Sequence, residues 1–147
     1  MARIVVGIDG SETALKGLRW AISEARLRGA TIDAINAWNY PYVSVPGAII
    51  PAEPWADQAK DVAVELDDAM AAVKDEAAAA GVQVNPVVTE GAPATVLCEA
   101  GVDADLIVVG SQGHGALHRF VLGSVSQDVL HSAPCPVVVI PHIHKKE

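Results

Sequence analysis

Short apolar runs and longer stripes of 3.6-residue period take turns along this chain, and the alternation predicts strands and amphipathic helices in succession. Ile4-Val5-Val6-Gly7-Ile8 is a β-prone run that stops at Asp9-Gly10-Ser11. Ser11 is a candidate N-cap: beyond it Ala14, Leu15, Leu18, Ala21, Ile22 and Ala25 recur on one helical face as far as Arg28, and Gly29 supplies the stop. Residues 31–38 read as a second strand. Residues 39–54 are rich in proline and glycine without a sustained period, which predicts a long loop of the functional or mobile kind. Leu66, Met70, Val73, Ala77 and Ala80 then mark the buried stripe of a helix over 55–80, closed by Gly81, and residues 82–88 form a third strand. Glu90-Gly91-Ala92-Pro93 is a turn that sets proline in the first turn of a short helix over 94–100. Residues 105–109 give a fourth strand, 124–132 a helix and 135–140 a fifth strand.

Regular strand–helix alternation implies an α/β fold: a doubly wound, five-stranded parallel sheet with helices on both faces, in the Rossmann-like manner. Ligands of such sheets sit at the carboxyl ends of the strands, where the strand order reverses. The 147 residues fit one domain, over 1–147. A formal charge of −8 argues against nucleic acid or an anionic membrane as partner, so a phosphate ligand would have to be held by local geometry. Asp9 interrupts the first apolar stretch, which is no signal peptide, and Pro41, Pro46 and Pro51 break the longest uncharged run, which is no membrane helix. Cys98 and Cys135 lack metal-type spacing and read as buried free thiols of a cytoplasmic protein.

Two loops at strand ends carry candidate chemistry. One is Gly7-Ile8-Asp9-Gly10-Ser11; the other runs from Gly110 through Gly113 to Gly123-Ser124 and opens a helix. Glycines there let backbone N–H groups converge on an anion, and the helix start adds partial positive charge. The spacing is neither a Walker A motif nor the dinucleotide Gly-x-Gly-x-x-Gly, and ordinary turn glycines account for it equally. Asp9 suits a ribose hydroxyl or Mg²⁺, and suits a turn or cap as well.

The chain resembles single-domain universal stress proteins of the ATP-binding kind. The resemblance runs from Ile4-Val-Val-Gly-Ile-Asp-Gly-Ser11 through Ala14-Leu-Lys-Gly-Leu-Arg-Trp-Ala21 to the segment from Gly123 to Val139, and the family's Gly-x2-Gly-x9-Gly-Ser/Thr is met by Gly110, Gly113, Gly123 and Ser124. It implies an adenine nucleotide alpha hydrolase-like fold with ATP, accompanied by Mg²⁺, between the two loops. Gly7 and Ile8, which lead into Asp9, would line the nucleotide site, Asp9 would contact ribose or metal, and the backbone around Ala37 would meet adenine. Gly110, Gly113, Gly123 and Ser124 would hold the phosphates, with Val125 adding a backbone N–H and His114 lying inside the loop. It also implies a homodimer paired through the last strand, from Pro136 to Ile140. The function implied is a nucleotide-dependent regulatory switch in stress adaptation; a slow ATPase or adenylate-handling enzyme, and a binder of another adenine nucleotide such as cyclic AMP, are the alternatives.

No carboxylate or histidine is fixed by the sequence as a general base. His114, His118 and Arg119 read first as a solvated loop, with screening of a triphosphate or assistance to slow hydrolysis as the alternative. Trp20 and Leu27 share the face of the first helix opposite its apolar stripe, as ordinary surface residues, as residues covered by the long loop, or as a partner strip. His142 and His144 alternate as on a strand, where they form a polar tail or half of a metal site.

Overall fold

Strand β1 (Arg3–Gly7) hands over to helix α1 (Glu12–Arg28) through a cap built from local chemistry. The Ser11 hydroxyl accepts the Ala14 N–H at 3.1 Å, and Gly29, at φ 65°, ends the helix. The chain continues through β2 (Thr31–Trp38), β3 (Tyr42–Val45), β4 (Ala48–Pro51), α2 (Trp55–Ala80) and β5 (Val84–Glu90). After these come α3 (Pro93–Ala100), a 3-10 turn (Gly101–Asp103), β6 (Leu106–Gly110), α4 (Ser124–Ser132) and β7 (Val137–Ile140). This computed structural model describes residues 2–39, 42–51, 55–112 and 122–142.

The expected doubly wound sheet is present. Its order is β5-β2-β1-β6-β7, all parallel, with Ile4 opposite both Ile32 and Leu106. The chain builds outward from β1 in one direction, then returns to β6 on the other side, so the order reverses between β1 and β6. Alternate strand residues face opposite layers. Ile4, Val6, Ile32, Ala34, Leu106 and Val108 pack under α1 and α2 with Leu18, Ile22, Leu66 and Val73. Val5, Ile35, Ile107 and Val109 pack against Leu97 of α3 and Val129 of α4.

The two sheet edges differ. Ile32 N–H donates to Gln83 O and Gly91 N–H to Trp38 O, so the odd-numbered residues of β5 bond inward and Pro86 falls on the outer rim, where it offers no donor. On the other edge, Ile107 N–H donates to Pro136 O and Ser111 N–H to Ile140 O, which turns the N–H and C=O groups of Val137 and Val139 outward. At the amino ends of the strands Arg3 joins three elements: Nε donates to Asp33 at 2.6 Å, Nη1 to Ala100 O at 2.9 Å, and its backbone N–H to Asp105 at 2.8 Å.

Four expectations change. Residues 39–54 contain an antiparallel hairpin, β3 with β4, turned at Pro46-Gly47 with Gly47 at φ 86°. The third strand starts and ends two residues later than expected, because β5 follows β2 as far as the Trp38–Glu90 pair. The last strand begins at Val137, after Pro136. Cys98 and Cys135 are unpaired but only partly buried.

Candidate functional site

A cavity of about 400 Å³ opens at the carboxyl ends of β1, β2 and β6, beside the reversal in strand order. It lies within the size range of small-molecule sites. Its walls come from the loop after β1 (Gly7, Ile8, Asp9), the end of β2 (Ile35, Asn36, Ala37), α3 (Pro93, Leu97), the end of β6 (Val109, Gly110) and the start of α4 (Gly123, Ser124, Val125, Ser126), with Ala14 of α1. Of the residues singled out in the sequence, Gly7, Ile8, Asp9, Ala37, Gly110, Gly123, Ser124 and Val125 meet at this one cavity. Gly113 and His114, together with His118, Arg119 and His144, lie outside the described residues.

Local chemistry aims several of these groups. Asp9 Oδ1 accepts both the Ser11 N–H at 2.9 Å and the Ser11 hydroxyl at 2.5 Å, so the residue that caps α1 also orients the carboxylate. The turn reading of Asp9 therefore holds for one of its oxygens. Gly123 is the N-cap of α4 with φ −64° and ψ 162°, and it brings no side chain to the helix start. The first-turn N–H groups of Ser124, Val125 and Ser126 precede the first intrahelical bond, from Gln127 N–H to Gly123 O, and stand where an anion would meet them.

Gly110 is needed for a different reason from the one its loop position suggests. A Cβ there would lie 2.8 Å from Thr13 Cγ2 and 3.2 Å from Thr13 Cβ, so the missing side chain lets α1 close on the end of β6.

Three wall residues carried no sequence signal. Asn36, buried at the end of β2, donates Nδ2 to Val62 O of α2 at 3.1 Å. Leu97 closes the apolar side. Ser126 is buried and turns its hydroxyl toward Gly123 O at 2.9 Å and Ser111 O at 3.1 Å. Each acquires its place from tertiary packing.

The donor set suits a nucleotide: apolar walls from Ile8, Ile35, Leu97 and Val109 for a ring system, one carboxylate, and main-chain donors at a helix start. Among the described residues no three His, Cys, Asp or Glu side chains come together as metal ligands. A Mg²⁺ ion would therefore take most of its oxygens from phosphate and water, with Asp9 as the protein carboxylate at hand.

Elsewhere, Trp20 and Leu27 are both exposed, at 36% and 82%, on the outer side of α1. The His142 ring is engaged with Thr13, Nδ1 to Oγ1 at 3.1 Å. Burial raises the Cys98 and Cys135 thiols above the ordinary thiol range, and the neighbouring Cys98 and Asp105 add to the effect at Cys135. Among the described residues no helix is long and apolar enough to cross a membrane.

Comparison with known proteins agrees with this fold. A universal stress protein of Mycobacterium tuberculosis is 35% identical over 139 residues, which make up 94% of this chain and 45% of the relative. The chain spans about half the length of the mycobacterial relatives it matches. UspA from Lactobacillus plantarum superimposes with a TM-score of 0.79 at 24% identity, covering 95% of this chain and 97% of its own, a likeness of fold. A universal stress protein in complex with cAMP gives a TM-score of 0.66 at 27% identity over 95% of this chain and 96% of its own. The Archaeoglobus fulgidus universal stress protein in complex with dAMP gives 0.65 at 28% identity over 95% and 98%. The model of the Universal stress protein family matches residues 1–141, and the chain belongs to that family.

Proposed function

We propose that this chain is a single regulatory domain that binds an adenine nucleotide, ATP with Mg²⁺, in the cavity between the loop after β1 and the start of α4. The observation that carries this reading is the convergence of Asp9, the backbone at Ala37 and the free first turn of α4 on one cavity at the reversal of strand order. The dAMP and cAMP complexes of relatives support an adenine nucleotide as the ligand. In this reading adenine meets the backbone at Ala37 and ribose or Mg²⁺ meets Asp9. The phosphates meet Gly110, Gly123, Ser124 and Val125, joined by Gly113 and His114. The nucleotide acts as a ligand that selects a conformation, in the sense of a stress-adaptation switch. With Oδ1 of Asp9 committed to Ser11, that carboxylate serves to hold and orient.

Two chains pair through the last strand, β7, from Val137 to Ile140, with Pro136 leading into it. The outward N–H and C=O groups of Val137 and Val139 support this edge over the β5 edge, which Pro86 blunts. Val139→Pro removes one outward donor and leaves the β6 ladder intact, so it should convert dimer to monomer by light scattering; a wild-type monomer would refute the pairing. Free cysteines support a reducing, cytoplasmic setting.

The test of binding is a thermal melt of nucleotide-free protein. ATP at a hundredfold excess over its Kd contributes about 2.7 kcal/mol, which for a chain of this size raises Tm by about 5–10 °C. No shift at millimolar ATP would overturn the proposal.

A further inference from the structure

Ser111 joins three parts of the chain through its polar groups. Its carbonyl oxygen accepts the Gly123 N–H at 2.6 Å and the Ser126 hydroxyl at 3.1 Å. Its own N–H donates to Ile140 O at 2.8 Å, and its hydroxyl oxygen accepts the His142 N–H at 3.0 Å. The His142 ring closes the circuit, with Nδ1 3.1 Å from Oγ1 of Thr13, the side chain packed against Gly110. Gly110, Gly123 and Ser126 face the cavity, whereas Ser111, Thr13 and His142 stand behind them.

We infer that Ser111 is a positioning residue for the phosphate end of this site. Its hydroxyl, bonded to the His142 N–H, fixes the residue whose carbonyl anchors the start of α4, while the His142 ring ties the same chain to Thr13 beside Gly110, and together these bonds set the separation that the phosphates require. Phosphate affinity thereby depends on the chain that leaves β7. The inference rests on the nucleotide reading above. Hydrogen bonds to an anion weaken steeply with distance and angle, so a small shift of Gly123 relative to Gly110 costs phosphate contacts. Adenine and ribose, held at Ala37 and Asp9, are spared. Coupling of this kind is reciprocal: bound phosphates also stabilise the ring and slow amide exchange at His142.

The test is calorimetric titration of wild type, Ser111→Ala and Ser111→Thr with ATP and with adenosine. Ser111→Ala should weaken ATP about three- to tenfold, the effect of one net hydrogen bond, with adenosine unchanged and ATP affinity restored in Ser111→Thr. ATP should slow exchange at His142 in wild type and not in Ser111→Ala. Unchanged ATP affinity in Ser111→Ala, or equal losses for ATP and adenosine, would overturn the inference alone. A wild type that binds neither ligand would overturn the nucleotide reading and this inference with it. Should Ser111→Ala not fold, Thr13→Val, which keeps the shape and loses the hydroxyl, is expected to show the same ATP-selective loss; wild-type affinity there refutes the ring.

Discussion

Substituting Gly110 by alanine separates two explanations of the glycine at the end of β6. If it is there only so that a ligand can approach the backbone, alanine should leave the apo protein as stable as before. The packing says otherwise, because the new Cβ would stand 2.8 Å from Thr13 Cγ2, inside any ordinary carbon–carbon contact, with Thr13 Cβ at 3.2 Å and Ala14 N at 3.5 Å. Thr13 is 3% exposed and belongs to the first turn of α1, so relief requires moving the helix start and its cap. Overpacking of this kind costs about 1–3 kcal/mol, which lowers Tm by about 2–12 °C at 2–4 °C per kcal/mol. Thr13→Ser removes the methyl group that Cβ would strike and keeps the hydroxyl that meets His142. In that background the cost of Gly110→Ala should fall by about 1 kcal/mol, a coupling that a double-mutant cycle in urea resolves. Equal stability of Gly110→Ala and wild type, or an equal cost in both backgrounds, would refute the argument.

Other outcomes follow from the same contacts. Ser11→Ala removes the cap of α1 and one of the two donors on Asp9 Oδ1; it should cost about 0.5–2 kcal/mol in urea denaturation. Arg3→Met severs the bonds to Asp33 and Ala100 at the end of the sheet away from the cavity, and should cost about 1–3 kcal/mol while leaving ATP affinity at the wild-type value by calorimetry. Cys98 and Cys135, with their thiols pushed upward by burial, hold less thiolate at neutral pH than a free thiol. Iodoacetamide should therefore label the folded protein more slowly than the unfolded one, with the rate rising as pH increases.

Helix limits were legible in the sequence because their signals are local. Ser11 caps α1, Gly29 and Gly81 adopt positive φ where α1 and α2 end, and Pro93 sits at the start of α3. Strand limits were less legible, since a strand ends where its partner does: β5 runs on to Glu90 because Trp38 is there to pair with it. The β3–β4 hairpin did carry a signal, Pro46-Gly47 between Val43, Val45 and Ile49, Ile50, but the surrounding prolines obscured the period. At the cavity, the glycines and Asp9 stand out because their chemistry is tied to loops and helix starts. Asn36, Leu97, Ser111 and Ser126 do not, because what places them is contact with α2, with the sheet, or with the chain after β7.

If the start of α4 holds the phosphates of an adenine nucleotide, Ser124→Pro should weaken that nucleotide without disturbing the helix. Proline is favoured at the first position of a helix, and Gly123 at ψ 162° already has the extended backbone that proline requires before it. The substitution removes the Ser124 N–H and hydroxyl while leaving the fold in place. Calorimetric titration of nucleotide-free protein with ATP should show saturable binding at one site per chain in wild type, weakened by about tenfold or more in Ser124→Pro, as expected for two lost bonds to a charged group. Wild-type affinity in Ser124→Pro, with its melting temperature unchanged, would rule out phosphate binding at the start of α4.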